Sequence, residues 1–171
     1  METQNISLIG FMGTGKTSVG KILAKRLDRP AVDVDLYIEL SEKKKISEIF
    51  SEFGEAYFRA LEKKSIHEIC ERRGIIITTG GGAVIDHENF ESLKSSGWVI
   101  CLSAAPKTIY HRIKDSRHRP LLAGKNKLDE IERLLELRRP FYEKADFQLE
   151  TDGRSSDQVA VLILEKLAGK L

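Results

Sequence analysis

Eight consecutive residues carry the clearest chemistry in the sequence. Gly10-Phe11-Met12-Gly13-Thr14-Gly15-Lys16-Thr17 satisfies G-x-x-x-x-G-K-[ST] at every fixed position, follows a short apolar run and opens a helical pattern. Glycines let a backbone wrap closely around phosphate oxygens and present N–H groups to them. The start of the following helix adds positive partial charge. Lys16 has the reach for β- and γ-phosphates, and the Thr17 hydroxyl can ligate Mg²⁺. A glycine turn with an unrelated lysine would require neither the strand before nor the helix after. This motif alone signals nucleoside triphosphate binding and nothing narrower.

Such a loop works with an acid at the end of another strand. The run Ile75–Thr78 ends in Thr79 and three glycines, and Val99–Leu102 ends in Ser103; only Ala31-Val32-Asp33-Val34-Asp35 supplies carboxylates. Strand alternation would put Asp33 and Asp35 on one side, about 7 Å apart at Cα. One could face the metal through water, because Mg²⁺ gives up water reluctantly. The other could accept a substrate proton. Alternatively one of them, Asp35 being the candidate, caps a helix over Leu36-Tyr37-Ile38-Glu39. The run Gly80-Gly81-Gly82 follows a buried strand and permits close approach of backbone to a ligand.

The elements that must position these residues are legible as alternation. Short Ile/Val-rich runs at Ser7–Ile9, Ala31–Val34, Ile75–Thr78, Val99–Leu102 and Phe147–Leu149 are expected strands. The unbroken ones suit parallel strands covered on both faces. Helical patterns cover Lys16–Leu27, Ile46–Phe53, Glu55–Arg72, Glu88–Ser95, Pro106–Lys114, Leu128–Phe141 and Asp157–Leu167. The fold class is therefore α/β, a parallel sheet with right-handed crossovers. The 171 residues are expected to form a single domain, 1–171. The long stretch at about 115–127, with Arg117, Arg119, Lys125 and Lys127, reads as a basic lid over an anion.

Composition excludes several classes. Hydrophobic residues make up 41% and charged residues 32%, too apolar for a disordered chain. The net charge of +2 leaves no polybasic arm, so no nucleic-acid partner is expected. No apolar run approaches the ~18 residues of a membrane span, and no signal-peptide pattern opens the chain. Two cysteines, Cys70 and Cys101, make no disulfide framework, so a reducing, cytoplasmic setting is expected. His67 and Cys70 could form half a zinc site, but the sequence offers no second half.

Taken together, the motifs resemble those of shikimate kinases. They are the phosphate loop, Asp33-x-Asp35-x-x-Ile38-Glu39, Gly54-Glu55-x-x-Phe58-Arg59, Gly80-Gly81-Gly82, Arg119-Pro120-Leu121-Leu122 and Arg138-x-Pro140-x-Tyr142, in family order. The resemblance implies a three-layer P-loop kinase fold with a five-stranded parallel sheet, order 2-3-1-4-5. It implies transfer of the γ-phosphoryl of ATP to the 3-hydroxyl of shikimate, with Mg²⁺, in aromatic amino acid biosynthesis; a monomer is expected. Carried over, Asp35, Arg59, Arg138 and Gly80, Gly81 and Gly82 would hold shikimate. Gly13, Thr14, Gly15, Lys16, Thr17 and Ser18 would hold ATP, with Arg119 from the lid at its phosphates, Arg112 against adenine and Arg154 near the nucleotide. Thr17 and Asp33 would serve the metal, and Lys16, Asp35 and Arg119 the chemistry. One position departs: Ser156 stands where many members have proline beside the adenine.

Overall fold

The computed structural model describes residues 4–114 and 127–170. The expected lid lies outside the described residues except for Lys127, and Arg119 lies outside them as well.

Five short apolar runs form strands: β1 (Asn5–Ile9), β2 (Ala31–Asp33), β3 (Ile76–Thr78), β4 (Gly97–Ser103) and β5 (Phe147–Glu150). They pair in parallel, in the order β2-β3-β1-β4-β5, as the family resemblance implied. Strand alternation sends successive side chains to opposite faces, and both faces are covered. Ile6, Leu8, Ile76, Ile100 and Leu102 pack in one core with Val19 and Leu23 of α1 (Lys16–Leu27) and Val159, Ala160 and Ile163 of α7 (Ser156–Leu167). Ile9, Ile77, Val99 and Cys101 pack in the other. That face is closed by α2 (Val34–Glu42), α3 (Ile46–Cys70), α4 (His87–Ser96), α5 (Pro106–Ile113) and α6 (Lys127–Tyr142). Ile77 is fully buried, and truncating such a residue to alanine costs about 2–5 kcal/mol.

Most boundaries shift from the sequence expectation by a residue or two, and two differences bear on the site. β2 stops at Asp33 and α2 begins at Val34, so Asp35 sits in the first turn of a helix rather than on a strand. The helices expected over Ile46–Phe53 and Glu55–Arg72 are one run, α3, kinked where Gly54 adopts φ 81°, ψ 174°. Only glycine takes that left-handed backbone without strain, and it breaks the helix without ending it. The start of α3 is tied to α2 by Glu39, whose carboxylate accepts from the Ile46 amide at 3.1 Å and pairs with Lys45 at 2.8 Å. The Glu48 side chain accepts from the Lys45 amide at 2.7 Å, satisfying another donor at the helix start.

Candidate active site

The phosphate loop runs from the end of β1 into α1. Lys16 is 8% exposed, and its ammonium donates to the carbonyls of Gly10 and Phe11 at 2.8 and 2.9 Å. The Thr14 hydroxyl donates to the Phe11 carbonyl at 2.8 Å, closing the loop on itself. Thr17 and Ser18 are exposed at its mouth. Beside them lies a cavity of about 310 Å³ bordered by Thr14, Gly15, Ser18, Arg112, Arg154 and Ser156. Arg112 donates to the Gly13 carbonyl at 3.1 Å and to the Thr151 hydroxyl and carbonyl at 2.9 and 3.0 Å, tying the loop to the turn after β5. Arg154 donates to the Glu150 carbonyl at 2.7 Å.

The two aspartates divide in a way that strand alternation did not foresee. Asp33, not Asp35, is the cap of α2, accepting from the Leu36 amide at 3.2 Å. Its other oxygen, Oδ2, accepts from the Thr78 hydroxyl at 2.8 Å and the Thr17 hydroxyl at 3.1 Å, so it stands against the phosphate loop. Asp35 turns towards the glycine run. Its Oδ1 is buried with no hydrogen-bond partner among the described residues. Burial first, then the charges of Asp33 and Glu62, raise its pKa to about 6, against the opposing pull of Lys16 and Arg59.

Each glycine of the run lies beneath a different polar side chain. A Cβ on Gly80 would fall 2.9 Å from Asp35 Oδ1, one on Gly81 3.4 Å from Arg138 Nη1, and one on Gly82 3.1 Å from Arg59 Nη2. The run also abuts the phosphate loop, since a Cβ on Gly81 would lie 3.2 Å from the Met12 amide nitrogen. Asp35, Arg59 and Arg138 are thus brought together along one edge of the run, on the side where open parallel sheets bind ligands. Arg138 is only 6% exposed and stacks over Phe11, with 5.3 Å from Cζ to the ring centre.

Three participants were not singled out from the sequence. Glu62 is 1% exposed, pairs with Arg59 Nη1 at 2.7 Å, and has its pKa raised chiefly by burial. Its place four residues after Phe58 and four before Ile66, inside the apolar stripe of α3, was the available signal. Thr78 holds Asp33, as described. Tyr142, quoted within a motif but given no role, donates to the Gly81 carbonyl at 2.6 Å. Arg59 also meets Glu55 through Nε and Nη2 at 3.3 and 3.1 Å.

A nucleotide cradle and an acceptor edge that meet at Met12 and Gly81, on this sheet order, define a P-loop kinase. The chain belongs to the shikimate kinase family, whose model matches residues 12–168. A shikimate kinase of Thermodesulfovibrio yellowstonii is 47% identical over 163 residues, 95% of this chain and 94% of the relative. One of Persephonella marina is 43% identical over 164 residues, 96% of this chain and 99% of the relative. The solved shikimate kinase from Acinetobacter baumannii in complex with shikimate superposes with a TM-score of 0.94 at 34% identity, covering 98% of this chain and 94% of that one.

Proposed function

We infer that the protein transfers the γ-phosphoryl group of ATP to the 3-hydroxyl of shikimate, giving shikimate 3-phosphate and ADP, on the route to chorismate and aromatic amino acids. The observation that carries the assignment is the glycine run, overlain by one carboxylate and two guanidinium groups and abutting the phosphate loop. Shikimate has a carboxylate for the paired arginines and hydroxyls for the aspartate. Arg59 and Arg138 grip the carboxylate, through planar pairing that lysine cannot reproduce. Gly80, Gly81 and Gly82 admit the ring close to the backbone. Asp35, whose Oδ1 has no hydrogen-bond partner among the described residues, orients the 3-hydroxyl and accepts its proton as that oxygen attacks the γ-phosphorus. The bond to the bridging oxygen breaks and ADP leaves. Lys16 neutralises charge on the β- and γ-phosphates, and alignment supplies most of the remainder.

The donor set suits Mg²⁺. The Thr17 and Asp33 oxygens lie 3.1 Å apart at the loop mouth, and among the described residues no group of three acids, histidines or cysteines is arranged to hold a metal ion. That matches a hard cation which takes most of its ligands from phosphates and water. When bound it would screen the charge between the phosphates, with Thr17 as ligand and Asp33 supporting through water. Arg112 and Arg154 border the nucleotide cavity, with Ser18. Arg119 is assigned to the phosphates on its motif alone. The protein acts as a monomer in the cytoplasm; the two free, buried cysteines suit that reducing compartment.

A coupled ADP-release assay with shikimate, gluconate and nucleoside monophosphates as acceptors tests the assignment. Turnover is expected with shikimate alone and is expected to be almost abolished in Lys16→Ala. Preference for another acceptor would reject it.

A further inference from the structure

Tyr142 closes α6 and is 7% exposed. Its ring lines a cavity of about 400 Å³ behind the phosphate loop with Phe11, Thr14, Cys101 and Leu102. A phenylalanine would serve for packing alone. The hydroxyl, however, donates to the carbonyl of Gly81 at 2.6 Å, a residue over which Arg138, four residues earlier on the same helix, also stands: a Cβ on Gly81 would lie 3.4 Å from Arg138 Nη1. Burial pushes its pKa up to about 12, so it stays a protonated donor throughout the neutral range.

We propose that Tyr142 is a positioning residue of the acceptor site, its hydroxyl holding the Gly81 carbonyl and so setting the Gly81–Gly82 peptide beside Arg138 for substrate. The need for such a tether follows from the glycines. Neither residue flanking that peptide has a Cβ, so the plane can turn over without steric penalty. Sterics therefore do not choose its orientation, and a hydrogen bond must. In a trans peptide the C=O and N–H point in opposite directions. Holding the Gly81 carbonyl towards α6 aims the Gly82 N–H away from α6. The buried Arg138 stands over the same peptide, so the orientation that the hydroxyl fixes is the one the guanidinium meets.

The inference deepens the proposed function and rests on it for the identity of the ligand. Tyr142→Phe removes one oxygen and keeps the ring. The expected result is a rise of about 5- to 20-fold in KM for shikimate, the loss of one buried hydrogen bond. The KM for ATP should stay within about twofold, and kcat should fall by no more than about threefold. In ¹⁵N-glycine-labelled protein without ligand, the Gly82 amide, a single peak in the wild type, should broaden or split in the variant. An unchanged shikimate KM with an unchanged Gly82 signal in a folded variant overturns the proposal. So does an equal rise in both KM values, which would mark general loosening. Should Tyr142→Phe not fold, 3-fluorotyrosine at 142 keeps ring and hydroxyl and alters only the acidity of the donor. It should shift the shikimate KM alone, and constancy of that KM overturns the proposal. If the wild type does not phosphorylate shikimate, the acceptor assignment fails, while the Gly82 amide still tests the positioning role.

Discussion

Glu62 Oε2 lies 2.7 Å from Arg59 Nη1, and the glutamate side chain is 1% exposed against 31% for the arginine. The buried member anchors the accessible one. Glu62→Gln keeps the shape and removes the charge, weakening a charge-assisted hydrogen bond worth about 1.5–3 kcal/mol. With Arg59 left to the exposed Glu55, the KM for shikimate should rise about 5- to 50-fold. The KM for ATP should hold. Steady-state kinetics with each substrate varied checks both.

Asp35→Asn should lower kcat by about 10²-fold or more, because the amide cannot take the hydroxyl proton. Its effect on stability has the opposite sign. The folded pKa, raised from 3.8 to about 6, means the folded chain binds this proton more tightly than the unfolded chain. The group's contribution to stability is therefore greatest below pH 4, declines as pH rises through 6, and is a penalty above it. Asparagine removes the charge and should raise stability at pH 7 by about 1–2 kcal/mol, below the full two-unit value because the site is partly solvated. The advantage should vanish near pH 4. Thermal melts of both proteins without nucleotide across pH 4–8 test the sign, and turnover of the wild type should fall as pH drops through about 6.

Arg59 and Arg138 are assigned to one carboxylate. Replacing either should weaken shikimate binding by about 10- to 150-fold, the range for a lost charge-assisted bond, and spare ATP binding. Lysine should rescue only in part. The two effects should not add, since neighbouring contacts couple. An analogue lacking the carboxylate should bind wild type and variants alike. Calorimetric titration of the double-mutant cycle, with the analogue as control, decides it; additivity with an undiminished penalty on the analogue refutes the shared grip.

Gly82→Ala places a methyl 3.1 Å from Arg59 Nη2. The neighbour is the end of a long side chain, so the chain should fold and melt near the wild-type temperature. The arginine must move, and the shikimate KM should rise about 3- to 10-fold. A variant with unchanged kinetics would show that Arg59 does not work from this position.

The sequence disclosed what is local. The phosphate loop is contiguous, and Ile75-Ile76-Ile77 and Val99-Ile100-Cys101-Leu102 announce covered strands by composition. The order of those strands came from the likeness of six motifs to a family, since no apolar run encodes its neighbour. Asp33 and Asp35 were misplaced because a period of two was carried one turn too far: the chain changes from strand to helix at Val34, and the side chains then diverge. Glu62 sat unread in an apolar stripe, where an acid implies a buried partner. The hydroxyl contact from Tyr142 to Gly81 spans 61 residues and leaves no trace in local pattern. For the same reason the partners of Arg112 were out of reach.

Arg112 spends three of its N–H donors within the protein, on Gly13 and Thr151, out of the five a guanidinium carries. An arginine held in this way keeps its flat face for a ligand and little of its hydrogen-bonding edge. If that face receives the nucleobase, it does so by stacking, which every base offers, and not by reading the pattern of donors and acceptors that separates adenine from guanine. Discrimination between purines would then fall to the backbone around Ser155 and Ser156. Turnover with GTP should approach that with ATP more closely than in an enzyme that hydrogen-bonds the adenine edge, so the enzyme's choice of energy currency would follow cellular supply more than its own selectivity.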